Sequence, residues 1–347
     1  SPMPSGVSST QRQRAEALLK FLTENVLDKY SKSEISSLAW SKFSTDHQVK
    51  SVVVVGEVSR GKSSLANALV NVKNASPVGI DFTTAVSVAL GTGSGDAIPG
   101  SAQLFYSDYT ESVSHGDLMS YINGHQQAAR LRNGEDVPTR AFVPLESSTI
   151  DAIVIDTPGV GGLDTSHAEL AASSAEQASV LVMVCDASTP LTAPEMEFLN
   201  AAGRHVDNIV VAVTKIDKHF SRWEQIVTND KALLEKHLGR SVPVVGVSSL
   251  LGLYSDPNLP SVELERIHQA SGIPELRKLV VERFAVAENF PAINGLRVAL
   301  EGLRDLHGEL KIKRDSVSQA EEVLPELNSQ MTKLQDLKKD LEQWEQY

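Results

Sequence analysis

The chain has 347 residues, of which 41% are apolar and 22% charged, and its formal net charge is −12. This composition is typical of a globular protein, and the length suffices for one large domain and a smaller one. The acidic balance argues against a nucleic-acid-binding protein and against direct electrostatic docking on an anionic membrane. No apolar run reaches the roughly 18 residues of a spanning helix, and no signal peptide is recognisable. The start Ser1-Pro2-Met3 suggests a processed end or part of a longer protein.

The elements alternate between helices and strands along most of the chain. Gln11–Tyr30 has apolar residues at three-to-four spacing, which predicts an amphipathic helix. Strands are predicted over 52–55, 86–90, 102–106, 152–155, 180–184, 209–213 and 244–247, and a helix over 63–70. Such alternation of short apolar strands with helices predicts an α/β domain with a mostly parallel sheet. Cys185 is the single cysteine and lies in an apolar run, so we expect a buried thiol and a reducing compartment.

The last part of the chain changes character near Pro291. Leucines follow one helical stripe, and the stripe continues after Pro325 as far as Trp344. We predict a helical bundle with the N-terminal helix; a self-associating coiled coil is the alternative, but the heptads are few. Pro325 should break or kink a helix near that point. The expected domains are the N-terminal helix of the bundle (1–45), a nucleotide-binding domain (46–290) and the C-terminal helices of the bundle (291–347).

A phosphate-binding loop follows the first predicted strand. The segment from Gly56 to Ser63 reads G-E-V-S-R-G-K-S, which fits the pattern G-x-x-x-x-G-K-[ST] between a strand and a helix. The glycines let backbone amides turn toward phosphates, and the helix N-terminus adds the positive end of its dipole. Lys62 should reach the β- and γ-phosphates, and Ser63 should bind Mg²⁺. The expected phosphate site comprises Gly56, Glu57, Val58, Ser59, Arg60, Gly61, Lys62, Ser63 and Ser64.

A second motif completes the triphosphate site. Asp156-Thr-Pro-Gly159 follows an apolar strand, so that the strand delivers Asp156 to the metal, usually through water. The backbone amide of Gly159 can meet the γ-phosphate and sense its loss. After a P-loop this motif predicts a Mg²⁺-dependent nucleoside triphosphate site.

The third motif reads the base. The predicted base site comprises Thr214, Lys215, Asp217, Ser248, Ser249 and Leu250. Asp217 can accept two hydrogen bonds from guanine, which adenine cannot offer, and a buried carboxylate left unpaired is costly. Lys215 would lie across the base and brace the P-loop, and an amide near Leu250 can face the guanine O6. A helix N-cap is the alternative for Asp217, but the order of motifs favours GTP over ATP.

Several features exclude a minimal small GTPase. A hundred positions separate Gly56 from Asp156, so 91–150 should hold extra strands and a helix, and Val160 stands where small GTPases have a water-orienting glutamine. Two further features are the T-K-x-D motif, Thr214 to Asp217, and the paired threonines in 77–88. Together these features make the chain resemble the dynamin superfamily over roughly 45–347. The runs 155–163, 192–198 and 247–251 are especially similar to actinobacterial dynamin-like GTPases, which include isoniazid-inducible mycobacterial ones.

The resemblance implies further site residues and partners. It makes Thr84 the threonine of switch I that senses Mg²⁺ and the γ-phosphate, with Thr83 as the alternative, and the metal-binding set becomes Ser63, Thr84 and Asp156. It implies a nucleotide-dependent homodimer through the G domains, with a second dynamin-like protein as a further partner. It also implies membrane remodelling coupled through the bundle, at the cytoplasmic inner face of the cell membrane. The lipid contact would come from residues outside this chain or from a partner.

Two positions depart from dynamins proper. Val58 replaces a P-loop glutamine, and Phe220 replaces an aspartate linked to a monovalent cation and to the partner subunit. The cation-assisted mechanism and the monovalent cation therefore stay open. Arg60 is the nearby arginine that could act as a charge-stabilising finger, in cis or in trans, with a solvated loop arginine as the alternative. His167 is a weaker candidate for a general base, because phosphoryl transfer depends more on positioning than on proton abstraction.

The leading hypothesis is a Mg²⁺-dependent GTPase with in-line attack of water on the γ-phosphate. Charge stabilisation and water positioning would come from Ser59, Lys62, Ser63, Thr84 and the Gly159 amide. A GTPase of the ribosome-assembly type is the alternative, but it would carry a basic RNA-binding appendage. A nucleotide-binding scaffold without turnover would need a broken motif, and none is broken.

Overall fold

The computed structural model describes residues 9–44, 50–57, 60–78, 86–93, 97–158, 179–203, 208–287, 290–313 and 320–342. The chain divides into two compact units, a helical unit (Ser1–Gln48 with Arg283–Tyr347) and a sheet unit (Val49–Glu282). The helices are α1 Ser9–Leu22, α2 Ser33–Phe43, α3 Lys62–Val70, α4 Leu118–Ile122, α5 Gly124–Arg132, α6 Ala193–Gly203, α7 Trp223–Leu238, α8 Ser249–Gly252, α9 Ser261–Ala270, α10 Ile273–Ala287, α11 Phe290–Ile312 and α12 Ala320–Glu342. A π-helical turn, Thr23–Leu27, follows α1.

The sheet unit is built on a nine-stranded sheet in the order β4-β3-β5-β2-β6-β1-β7-β8-β9. The strands are β1 Ser51–Val55, β2 Ser87–Thr92, β3 Ser101–Phe105, β4 Thr110–Ser114, β5 Arg140–Leu145, β6 Ile153–Asp156, β7 Val180–Asp186, β8 Ile209–Thr214 and β9 Val244–Gly246. The run from β6 through β1, β7 and β8 to β9 is parallel. The antiparallel pairs are β2 with β6, β3 with β4 and β3 with β5. The predicted α/β class with a mostly parallel sheet is confirmed.

One core of the sheet unit lies between the parallel strands and the two helices α6 and α7. Val53, Leu181 and Val211 are at most 1% exposed and belong to this core, because β-branched and leucine side chains fill both faces of a covered parallel strand. Cys185 lies in the same core, and burial raises the pKa of its thiol. The expectation of a buried cysteine is therefore confirmed.

The helical unit has its own core. Ala15, Leu19 and Leu22 of α1 are fully buried against a leucine stripe of α11 and leucines of α12. This stripe comprises Leu296, Leu300 and Leu303, and the α12 residues are Leu327, Leu334 and Leu337. The prediction that the leucine stripes pack within a bundle is confirmed.

The sequence predicts that Pro325 breaks or kinks a helix; it lies inside α12, so a break is wrong, and a kink stays a prediction. Pro325 lies beyond the first turn of α12, so it removes the hydrogen bond that an amide at this position would donate to the Glu321 carbonyl. Leu327, Leu334 and Leu337, which follow Pro325 in α12, are buried in the core of the helical unit, and this packing offsets the lost bond. The helix therefore continues through it.

A buried carboxylate with no ion-pair partner among the described residues lies at the edge of the core between the parallel strands and α6 and α7. Asp230 of α7 is fully buried, and its Oδ1 accepts a hydrogen bond from the Leu191 amide at 2.8 Å. Its Oδ2 and the Oε2 of buried Glu195 have no hydrogen-bond partner among the described residues. Burial, with the nearby Glu195 charge, raises the pKa of Asp230 to about 6 from its ordinary 3.8, although the Leu191 amide opposes the shift.

Replacing Asp230 with asparagine is therefore expected to stabilise the protein at pH 8. Because the folded pKa lies above the unfolded one, the carboxyl destabilises the fold most above pH 6, and the cost fades as pH falls toward 4. We expect a gain in unfolding free energy of about 1–2 kcal/mol at pH 8 that largely disappears near pH 4. Urea unfolding at both pH values measures it, with exposed Asp151→Asn as the control. An equal gain at both pH values would contradict the ionisation argument.

Candidate functional site

The C-terminal ends of the parallel strands form one edge of the sheet, where α/β folds bind ligands. The P-loop follows β1, and the last residues of β6, β7 and β8 are Asp156, Asp186 and Thr214. The sequence motifs for phosphate and base therefore meet at a single edge. This is a consequence of parallel pairing between β6, β1, β7 and β8.

Two glycines of the P-loop are required by the backbone. Gly61 has φ of +88°, in the left-handed region that side chains disfavour, and α3 begins immediately after it. A Cβ on Gly56 would lie 2.8 Å from the Val184 carbonyl oxygen, so the loop passes closely over β7. The loop thus turns tightly from β1 into the N-terminus of α3.

Asp156 contacts the residues that are predicted to bind phosphate and metal. Its carboxylate belongs to a residue only 1% exposed, and Ser63 Oγ donates to its Oδ2 at 2.6 Å. Lys62 Nζ lies 3.5 Å from Asp156 Oδ1 and donates to the Thr157 carbonyl at 2.9 Å. A hydroxyl and a carboxylate are oxygen donors of the kind Mg²⁺ prefers, since this ion is commonly bound through one or two carboxylates and substrate phosphates. The donor set fits Mg²⁺.

Two further residues attach the chain before the predicted switch I to the same carboxylate. Ser76, which is fully buried, donates from its Oγ to Asp156 Oδ2 at 2.8 Å. Asn67 of α3 holds Ser76 in both directions, accepting from its amide at 2.7 Å and donating to its carbonyl at 2.8 Å. Sequence reasoning missed both residues, because an isolated serine and a helical asparagine belong to no motif.

The other end of α3 is held by side chains from elsewhere in the sheet unit. Arg277 of α10 donates to the Ala68 and Leu69 carbonyls at 3.0 and 3.2 Å, and Thr149 Oγ1 donates to Leu69 at 2.8 Å. These carbonyls belong to the last turn of α3, where no helical amide four residues further on is available, although the Asn71 amide also donates to the Ala68 carbonyl at 3.2 Å. Burial lowers the pKa of Arg277. The P-loop helix is therefore held at both ends.

The base-reading motif is joined to the P-loop and to the loop after β9. Thr214 Oγ1 lies 2.6 Å from the Arg60 carbonyl and 3.0 Å from the Cys185 carbonyl. Ser248, fully buried, donates from Oγ to Asp217 Oδ1 at 2.7 Å and caps α8. Asp217 does not cap α7, whose N-cap is Arg222, so the N-cap alternative is wrong. Ser249 begins α8, and Leu250 is 67% exposed.

Asp186 is a further carboxylate that the sequence analysis did not single out. Its Oδ1 accepts the Ser188 amide at 2.8 Å, and its Oδ2 lies 3.2 Å from Lys215 Nζ. Burial raises its pKa, but the Ser188 amide and Lys215 outweigh burial, so the net pKa is lowered. Its position at the end of an apolar parallel strand matches that of Asp156, and this was the available signal.

Arg60 is engaged with two carboxylates. Its guanidinium lies 3.4 Å from Glu57 Oε2 and 4.0 Å from Asp186 Oδ2, and its side chain is 23% exposed. Phe220, which follows the base-reading motif, is 85% exposed. The other predicted or weighed positions lie outside the described residues: Val58, Ser59, Thr83, Thr84, Gly159, Val160 and His167.

None of the helices in the described part of the chain is long and apolar enough to cross a membrane.

The sheet order and the three motifs identify the sheet unit as a P-loop GTPase fold; the chain also has a separate helical unit. Residues 52–217 match the Dynamin family. Residues 52–217 therefore form a dynamin-family domain, and the predicted resemblance to the dynamin superfamily is confirmed.

Known relatives agree with this assignment. The chain is 30% identical over 245 residues to the isoniazid-induced protein IniA of Mycobacterium tuberculosis, covering 69% of this chain and 36% of that protein. An uncharacterised Caldicellulosiruptor protein, from the xynA 3′ region, is 21% identical over 283 residues, which cover 80% of this chain and 68% of that protein. This chain thus spans about a third of the length of IniA.

Solved structures share the fold. A chain from an oligomerised bacterial dynamin pair, described as a mechanism for long-range sensing and tethering of membranes, superposes with a TM-score of 0.51 at 16% identity. The match covers 98% of this chain and 62% of that one. A second such chain gives a TM-score of 0.50 at 17% identity, with 94% and 59% covered.

Proposed function

We propose that the protein binds GTP with Mg²⁺ and hydrolyses it. The observation that carries this proposal is that two carboxylates, each held by side chains of the predicted motifs, lie at the same edge of the sheet. Asp156 contacts Lys62 and Ser63, and Asp217 is held by Ser248. The first is suited to a magnesium triphosphate and the second to a guanine base.

The phosphate end would work through charge. Lys62 and Asp156 contact each other at 3.5 Å, and Lys62 is only 6% exposed. When GTP enters, Lys62 turns its ammonium to the β- and γ-phosphate oxygens, and the P-loop amides surround them. Ser63 and Asp156 would hold Mg²⁺, which neutralises charge on the phosphates when bound. Water then attacks the γ-phosphate in line with the leaving oxygen.

The base end would work through hydrogen-bond matching. The hydroxyl of Ser248 donates a hydrogen bond to Asp217 Oδ1, and this bond fixes the orientation of the carboxylate. The carboxylate can then accept from guanine N1 and from its exocyclic amine, whereas adenine offers no donor pair. Thr214 ties this loop to the P-loop through the Arg60 carbonyl. Base and phosphate recognition are thereby held in one rigid arrangement.

Arg60 would assist hydrolysis by stabilising the negative charge on the γ-phosphate. It carries charge within the P-loop and contacts Glu57 and Asp186. Leaving these carboxylates would let it approach the γ-phosphate of its own site or of a second copy. An arginine in that role can accelerate phosphoryl transfer by about 10³- to 10⁵-fold.

A second copy of the chain is the proposed partner at this edge. Phe220, in the segment after Asp217, is 85% exposed, and Leu250, in the short helix α8 after β9, is 67% exposed. Both segments would lie beside the base. Large apolar side chains on a functional loop lose exposure favourably when a partner covers them. Pairing through this face would join two nucleotide sites, as the family resemblance implies.

We expect specific GTPase activity to rise with protein concentration and Phe220→Ser to reduce that rise several-fold. Phosphate release measured over a wide range of enzyme concentrations tests this, with light scattering for dimer formation. Val262→Ser is the matched control, because Val262 is also apolar and 70% exposed but lies on α9. Activity independent of concentration in the unsubstituted protein would refute pairing while leaving GTP hydrolysis intact.

We propose that GTP binding and hydrolysis by this protein drive membrane remodelling. This proposal is supported by the family and by the bacterial dynamin pair that senses and tethers membranes. The lipid contact would lie in residues outside this chain or in a second dynamin-like protein, at the inner face of the cell membrane. Vesicle co-sedimentation with and without such a partner tests this. Binding to RNA instead would favour the ribosome-assembly type of GTPase.

A further inference from the structure

Asp186 brings together cations from the two nucleotide loops. Its Oδ2 lies 3.2 Å from the ammonium of Lys215 and 4.0 Å from the guanidinium of Arg60. The first cation belongs to the base-reading motif and the second to the P-loop. On the other oxygen, the Ser188 amide donates at 2.8 Å and His219 Nε2 lies at 3.9 Å.

The geometry gives the carboxylate a fixed direction. Asp186 is the last residue of β7 and is only 9% exposed, and the Ser188 amide sets the position of Oδ1. Oδ2 is thereby aimed at the two cations. A partly buried charge is screened less by solvent than an exposed one. Without this carboxylate, two like charges would stand close together at the mouth of the proposed nucleotide site.

Lys215 has an unusual backbone that depends on its surroundings. Its φ is +63°, in the left-handed region, which costs a non-glycine residue of the order of 1 kcal/mol. Such a conformation persists only where neighbouring contacts determine it. The preceding residue, Thr214, is held by the Arg60 and Cys185 carbonyls, and the Lys215 ammonium is held by Asp186.

We propose that Asp186 is a positioning residue for Lys215, holding its side chain in place across the base before the nucleotide binds. This inference rests on the proposed guanine-nucleotide site. Asp186 acts through Lys215 and touches no phosphate. Because Lys215 contacts the base, which GDP and GTP share, loss of Asp186 weakens both nucleotides by the same factor. It changes kcat less than it changes KM.

The test uses Asp186→Asn, which keeps the shape and the acceptor for Ser188 but removes the charge. We expect the Kd values of GDP and GTP both to rise about three- to tenfold, as loss of a partly exposed ion pair allows, with kcat altered less than twofold. Asp256→Asn is the matched control, because Asp256 Oδ1 also accepts the amide two residues on, at 2.9 Å. The control should bind both nucleotides as the unsubstituted protein does.

A double-mutant cycle separates positioning from a general loss of structure. In a Lys215→Met background, which keeps the length of the side chain without its charge, Asp186→Asn should cause no further loss. If Asp186→Asn reduced nucleotide affinity equally in the Lys215→Met and the unsubstituted backgrounds, the proposal would be overturned. It would also be overturned if the reduction disappeared only in an Arg60→Gln background. Unchanged binding by Asp186→Asn would overturn this proposal alone. Failure of the unsubstituted protein to bind guanine nucleotides would overturn both this proposal and the proposed function.

Discussion

Replacing Lys62 with alanine is expected to lower the rate of GTP hydrolysis by about 10²- to 10³-fold, the range for losing one preorganised charge donor. Lys62 is buried at the N-terminus of α3 and contacts Asp156 Oδ1 and the Thr157 carbonyl. Its ammonium is therefore already at the end of the P-loop where the terminal phosphates would lie. Alanine would also leave the buried Asp156 without its charged partner, although Ser63 and Ser76 still donate to it.

Single-turnover phosphate release at saturating GTP measures this loss. Lys73→Ala is the matched control, since Lys73 lies shortly after the same helix but is exposed and hydrogen-bonds to Ser255. The control should hydrolyse GTP within about twofold of the unsubstituted protein, as surface substitutions usually change little. A Lys62→Ala protein that retained more than a tenth of the rate would place catalysis elsewhere.

Replacing Asp217 with asparagine should change the base preference of the site from guanine to xanthine. Asparagine can keep its Oδ1 as the acceptor for Ser248, the bond that Asp217 makes at 2.7 Å. Its amide then faces the base as a donor, which repels the exocyclic amine of guanine but suits the 2-oxo group of xanthine. A polar site left mismatched in this way discriminates strongly, so we expect GTP affinity to fall about a hundredfold or more.

Competition between GTP and xanthosine triphosphate for the same protein measures the exchange. Asp256→Asn makes the identical chemical change on a turn outside the nucleotide loops and should leave the preference for GTP intact. If Asp217→Asn lost both nucleotides equally, Asp217 would be structural and the base would be read elsewhere.

Much of the sheet could be predicted because most of its strands are short apolar runs, several of them buried along their whole length. The exceptions are β4 and β5, which the sequence placed only loosely within the extra segment 91–150. Along β4 most side chains are exposed, so no apolar pattern marks it. β5 contains Pro144, which argues against an interior strand. Pro144 is tolerated because the pairing of β3 with β5 stops at Phe142.

The candidate site was predictable where residues belong to a linear motif. Lys62, Ser63 and Asp156 meet as their motifs imply. Ser76 could not be foreseen, since its role depends on how the chain returns from α3 to Asp156. Asp186 could have been considered, because a carboxylate ending a buried parallel strand is rare without a partner. Its partners Arg60 and Lys215 are far apart in sequence, so only the fold reveals the cluster.

Phosphate release from GTP in the presence of a large excess of ATP is the most direct test of a guanine-specific triphosphate site. The sequence motifs and the contacts of Asp156 and Asp217 predict Mg²⁺-dependent release that ATP neither inhibits nor replaces as substrate. Release that ATP suppresses or supports equally well, or no release from GTP under any condition, would contradict the account.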